Sequence, residues 1–154
     1  MIVRGAGRRD LDAIHALWVQ LREAQAKADP RFALSSEGPA RAREHREIIL
    51  ADPRTRFFVA EEQGRVVGYL HAQVEANDPA YETQRYGVIV DVIVREDRRR
   101  EGLGARLLEA AKEWLRSAGV HEYRAAIPAP SADATRLFAP DRAEPLATTL
   151  VGRL

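Results

Sequence analysis

At 154 residues the chain has room for one domain, since two cores of ordinary size would not fit. A hydrophobic content of 45% argues against intrinsic disorder, and 31% charged residues supply a solvated surface. With 24 Lys and Arg against 23 Asp and Glu, no global field draws the chain to nucleic acid or a membrane, and the absence of cysteine removes disulfides, thiolate metal sites and a Cys nucleophile.

The opening MIVRGAGRRD lacks an apolar run long enough for a signal peptide, and no later run is long enough to span a bilayer, so a cytoplasmic protein is expected. Ile2-Val3-Arg4 reads as a short strand. Asp10 is a candidate N-cap, its carboxylate placed to accept from the free amides of a first helical turn. From there Leu11, Ile14, Leu17, Trp18 and Leu21 recur at helical spacing to about Ala28, and Asp29-Pro30 ends the helix. A second, more polar helix is expected over Ser35–Ala51, capped by Ser36, with its Arg and Glu side chains solvated and Ile48, Ile49 and Leu50 at its apolar end.

A hairpin follows: Phe57–Ala60 and Val66–Leu70 flank Gln63-Gly64, and the second strand runs on toward Val74 before Asn77-Asp78-Pro79 breaks it. Tyr86–Val94 is the most apolar, β-branched run in the chain and reads as a central strand. An Arg-rich connection with two glycines leads to a helix over Ala105–Ala118, with Leu107, Leu108, Ala111, Trp114 and Leu115 as its stripe. Gly119 stands where a left-handed cap belongs. His121–Ile127 is one more strand, interrupted by Pro128 and Pro130. A weak helix near Ala132–Phe138 stops at Pro140, and a last strand is expected at Leu146–Leu150. The whole of 1–154 reads as a single α/β domain with a mixed sheet and helices on both faces. Strands two to four are antiparallel, and the helix after Val94 serves as a crossover to a parallel neighbour.

The chemistry concentrates in Arg95–Arg106. Glycines at 102 and 104 let the backbone turn tightly and present amide hydrogens, and a helix N-terminus carries unpaired N–H groups and partial positive charge. Such a place suits a phosphate, with Arg98, Arg99 and Arg100 as mobile cations beside it. The same pattern also fits a plain turn in a solvated loop. A Walker A loop is excluded because no Gly-Lys-Ser/Thr follows, and the dinucleotide fingerprint lacks its third glycine.

Arg99-Arg100-Glu101-Gly102-Leu103-Gly104 resembles the Arg/Gln-x-x-Gly-x-Gly/Ala signature of the GNAT superfamily of acyl-CoA N-acyltransferases. Val66-Val67-Gly68-Tyr69 is similar to that family's hairpin, and Asp91-Val92-Ile93-Val94 to the strand before the signature. The resemblance implies a mostly antiparallel sheet, flanked by helices and splayed at the acetyl-CoA site. It further implies backbone amides of Arg99, Arg100, Glu101, Gly102, Leu103, Gly104 and Ala105 on the pyrophosphate, and Val92, Ile93 and Val94 along the pantetheine arm. The Val94 amide would polarise the thioester carbonyl. The implied reaction is direct attack of a small-molecule or peptide amine on acetyl-CoA, needing no metal. A homodimer through the C-terminal region is expected on the same ground.

The last third departs from the family. The usual Tyr position is Phe138, the family's Asn aligns with Ser131, and a carboxylate position used in some relatives is Ala126. Asp91 is therefore the candidate base, acting through water, unless it is only hydrogen-bonded for structure. His71 and Glu75 share a strand face, which fits either an acceptor cleft or an edge strand facing solvent. Tyr81 and Tyr86 flank a loop that could cover an amine. The missing tyrosine leaves a second reading open, a catalytically weak acyl-CoA-binding sensor.

Overall fold

The computed structural model describes residues 1–127 and 132–154, so Pro128, Pro130 and Ser131 lie outside the described residues. The elements run β1 (Ile2–Gly5), α1 (Leu11–Ala28), α2 (Gly38–Ile49), β2 (Thr55–Glu62), β3 (Arg65–Ala76), β4 (Arg85–Val94), α3 (Leu103–Ser117), β5 (Tyr123–Ala125) and α4 (Ala132–Phe138). The five strands form one open sheet in the order β1-β2-β3-β4-β5. The first four pair antiparallel, and β5 joins β4 parallel through the α3 crossover.

Helices cover both faces because the strands alternate apolar side chains. Phe58, Leu70, Ala72 and Ile89 point to one face and meet Leu107, Leu108, Ala111 and Leu115 of α3. Phe57, Val59, Tyr69 and Ile93 point to the other and meet Ile14, Leu17 and Trp18 of α1. The β2–β3 turn places Gln63 at φ 49° and Gly64 at φ 77°, the pair of left-handed residues that matches the twist of a two-residue hairpin. Gly119, at φ 74°, ends α3 as expected.

Four expectations are corrected. Asp10 stands at the N-cap of α1 but its side chain makes no cap bond to that helix, and a single 3₁₀ turn over Arg8–Asp10 precedes it. Its carboxylate turns back instead, accepting from the Gly7 amide at 2.8 Å and from Arg4 at 2.8 and 2.9 Å, which ties β1 to the start of α1. The second helix begins at Gly38, with Glu37 and not Ser36 at its N-cap. Pro39, which cannot donate a helical hydrogen bond, fits the first turn. The polar face of that helix is not wholly solvated: Ile48 is 71% exposed, whereas Arg46 is buried with its guanidinium 4.2 Å from the Trp18 ring centroid. A buried cation tolerates that position by stacking on the aromatic face and donating to the Ala42 carbonyl at 3.1 Å. Finally, no strand forms at Leu146–Leu150. Leu146 and Leu150 are exposed, and the segment pairs with none of the five strands.

Candidate functional site

The site begins at an irregularity in β4. The β3–β4 register steps from His71 opposite Asp91 to Ala72 opposite Ile89, so Val90 is an extra residue. In a regular strand Ile89 and Ile93 would share a face; here Ile89 packs under α3 and Ile93 under α1. The bulge therefore turns Asp91 toward α1 and leaves Val92 and Val94 against the α3 core.

The same strand loses its neighbour at this point. β5 pairs only with Gly87, Val88 and Ile89, and β4 continues to Val94 without it. Arg95 donates its amide to the Val67 carbonyl at 2.8 Å, so the Val94 N–H, one residue back on an alternating strand, faces the opposite, open edge. Along Val92–Val94 this edge of β4 therefore has no strand beside it, and the Val94 carbonyl accepts from the Arg99 side chain.

That edge leads into the Arg-rich connection. Arg100 takes φ 66° and Gly102 φ 76°, two left-handed residues that fold the chain back onto the start of α3. The first bond of the α3 ladder runs from the Arg106 amide to the Gly102 carbonyl at 3.1 Å, which leaves the Leu103, Gly104 and Ala105 amides ahead of it. At Gly102 an added Cβ would meet nothing within 4 Å, and at Gly104 only the Leu137 side chain at 3.5 Å, so the missing side chains leave the amides uncovered. Arg98 is not a mobile cation: it donates to Glu62 at 2.8 Å and lies 3.9 Å from Glu101, pinning the loop to β2. Arg99 donates to the Val94 carbonyl at 3.1 Å, and Arg100 is exposed.

These pieces line one cleft of about 750 Å³, bounded by α1, β4, the loop, α3 and α4. Val92, Ile93, Val94, Arg99, Arg100, Gly102, Leu103, Gly104 and Ala105 all border it, as does Asp91. Glu101 does not stand among the lining residues. Ala126, just beyond β5, and Phe138, at the end of α4, border it as well, and neither side chain carries a transferable proton. Phe138 instead packs 6.0 Å from the Tyr123 ring.

Asp91 is buried and doubly held. It accepts from Arg22 at 2.6 Å and from the Tyr69 hydroxyl at 3.2 Å. Burial and the nearby Asp91 charge push the Tyr69 hydroxyl far above its ordinary range, so it stays a donor to the carboxylate. Arg22 also donates to Gln25 at 2.7 Å. The expectations for His71 and the tyrosines fare differently. His71 faces neither solvent nor this cleft; it is buried and stacked on Phe57 with ring centroids 4.2 Å apart. Glu75 accepts a hydrogen bond from Gln73. Tyr81 is exposed, and Tyr86 lies beneath the Arg124 guanidinium at 3.8 Å. Sequence reading missed Arg22. The usable signal was its spacing, four residues after Trp18, at the margin of the apolar stripe of α1. Among the described residues no group of three His, Asp or Glu side chains is arranged to hold a metal, and no helix is long and apolar enough to cross a membrane.

The acetyltransferase (GNAT) family model matches residues 18–139. An uncharacterized N-acetyltransferase, YhfO, of Bacillus subtilis (strain 168) is 30% identical over 114 residues, 74% of this chain and 70% of that protein. An X-ray structure of the tetramutant of the BH1408 protein from Bacillus halodurans superposes with a TM-score of 0.81 at 20% identity, covering 100% of this chain and 100% of that one. A predicted acetyltransferase from Clostridium acetobutylicum, crystallised with acetyl-CoA, gives a TM-score of 0.78 at 14% identity over 99% of this chain and 95% of that one.

Proposed function

This chain belongs to the acetyltransferase (GNAT) family and is an N-acetyltransferase, and we propose that it transfers the acetyl group of acetyl-CoA to a primary amine by direct attack in a ternary complex. The observation that carries the reading is the unpaired edge of β4 opening onto the free amides at the start of α3. The chemistry of these donors fits acetyl-CoA. Amides at Leu103, Gly104 and Ala105, in the positive field of a helix start, suit the pyrophosphate. Arg99 and Arg100 add charge at the rim, and the bare backbone of Val92–Val94 suits the amides of the pantetheine arm, as one strand suits another.

Acetyl-CoA supplies an activated acyl carbon. The Val94 N–H is oriented toward the open edge and donates to the thioester carbonyl oxygen as negative charge develops there, an interaction worth about 3 kcal/mol in comparable oxyanion sites. The amine nitrogen bonds to the acyl carbon and the carbon–sulfur bond breaks. Asp91 takes the proton the amine loses, directly or through one water. With Phe138 in the position where a donor would stand, the departing thiolate is protonated by water.

Phe138 favours a second reading, a module that binds acyl-CoA with little turnover. A thiol-release assay over a panel of primary amines separates the two. Release above buffer that depends on the amine is expected; tight acetyl-CoA binding with release from no amine would favour the module.

A further inference from the structure

The α1 side of the cleft carries two opposite charges side by side. Its α1 wall is built from Leu21, Arg22, Ala24, Gln25 and Ala28, and Asp91 faces it from β4. We propose that the acceptor is an amino acid, its carboxylate held by Arg22 and its amine directed to Asp91. This rests on the acetyl-CoA reading above and names the substrate class for the same site.

Hydrogen-bond capacity supports it. Arg22 has five N–H donors, of which Nη2 uses one on Asp91 at 2.6 Å and Nη1 one on Gln25 at 2.7 Å. The remaining donors include Nε–H and one on each Nη, the fork that takes a carboxylate in a bidentate grip. Asp91, Gln25 and the Trp18 ring 5.4 Å away already fix the guanidinium plane, so little side-chain freedom is lost on binding. Arg22 keeps 23% of its side chain exposed, enough for a ligand to reach it. Asp91 has lone pairs beyond those used by Arg22 and Tyr69, and they are available to the amino group, which gives its first proton to solvent and attacks as the neutral amine.

The charge pattern also selects against other amines. A simple cationic amine attracted to Asp91 is repelled by Arg22 beside it, whereas a zwitterion satisfies both. A polycation would need several carboxylates, whereas the described lining of the cleft holds two, Asp91 and Asp133, beside five arginines. Ala24, Ala28 and Leu21 leave an apolar, low-relief wall for the acceptor's side chain.

The test compares matched acceptors on the wild-type protein in the thiol-release assay: L-leucine with its methyl ester and with 3-methylbutylamine, and L-phenylalanine with its methyl ester and with phenethylamine. In at least one set the free amino acid is expected to exceed both analogues by about tenfold or more in kcat/KM, because the analogue leaves a polar group of the site without its partner. Arg22→Met should abolish that preference chiefly through KM, and Arg22→Lys should retain part of it. Esters or decarboxylated amines that react as well as the amino acids would overturn the proposal. So would acetylation of no amino acid by a protein that binds acetyl-CoA in a calorimetric titration, and that result leaves the acetyl-CoA reading standing. Failure to bind acetyl-CoA at all removes the reading and the proposal together.

Discussion

His71 shows what burial does to a titratable side chain directly opposite Asp91 across the β3–β4 ladder. It is 6% exposed, and its Nε2 has no hydrogen-bond partner among the described residues. Burial first, and then the positive charge of Arg46, push its pKa down to about 3. The imidazole is therefore neutral at physiological pH, so the charge that balances Asp91 comes from Arg22 and not from His71. The unfolded chain titrates at the ordinary histidine value of about 6.5 and binds a proton that the folded state refuses. Stability is therefore complete above that value and falls as the pH drops from about 6.5 toward 3. From pH 7 to pH 5 this one group should cost about 2 kcal/mol. Urea unfolding at the two pH values should show wild type losing that much more than His71→Phe, which keeps a ring on Phe57 and cannot titrate. Equal losses in the two proteins would mean that His71 is protonated when folded.

At the scale of elements, the bulge in β4 decides where everything in the site points. Gly68 lies opposite Val94 across the β3–β4 ladder, and a Cβ there would stand 2.9 Å from the Ile93 carbonyl oxygen, a backbone atom that cannot swing aside. Gly68→Ala should destabilise the fold by about 1–3 kcal/mol, read as a lower urea midpoint. It should also weaken acetyl-CoA, because the strand that must move is the one carrying the open edge. An unchanged midpoint would show the pairing to be slack there. The strands, the hairpin turn and α3 were legible because their signals are local: alternating apolar residues, Gln63-Gly64, and a stripe closed by Gly119. The bulge was not, because YGVIVDVIV is apolar on both faces apart from Asp91, and a shift of one residue leaves no mark in the pattern. The burial of Arg46 escaped for a similar reason. Its partner, Trp18, lies on another helix, and nothing within α2 distinguishes that arginine from its solvated neighbours. The strand expected at Leu146–Leu150 failed in the opposite sense: local propensity was present, but the segment pairs with none of the five strands.

At the scale of the whole molecule, the cleft is assembled from segments far apart in sequence. Arg22 meets Asp91 across 69 residues, which is why the glycine-bearing loop at 99–105 was visible in the chain and this pairing was not. The C-terminal residues leave Leu146, Leu150 and Val151 at 70%, 87% and 69% exposed, an apolar stretch that suits burial against a second copy. Light scattering at working concentration is expected to give the mass of two chains, and truncation after Arg142 to give one; a monomeric full-length chain would contradict this. The proposed acetyl-CoA cradle lies at the start of α3. An added Cβ at Gly104 meets only the Leu137 side chain at 3.5 Å, so Gly104→Val should fold while placing its side chain where the proposed pyrophosphate would lie. Arg99→Ala should cost less, and its effect should fade with salt, because an exposed cation acts through a screened field. Calorimetric titration of acetyl-CoA into wild type and Gly104→Val is the direct measurement. The wild type is expected to bind, and the folded variant to lose about 1–3 kcal/mol of that affinity. No heat from the wild type at millimolar ligand, or equal affinity in the two proteins, would contradict the cradle.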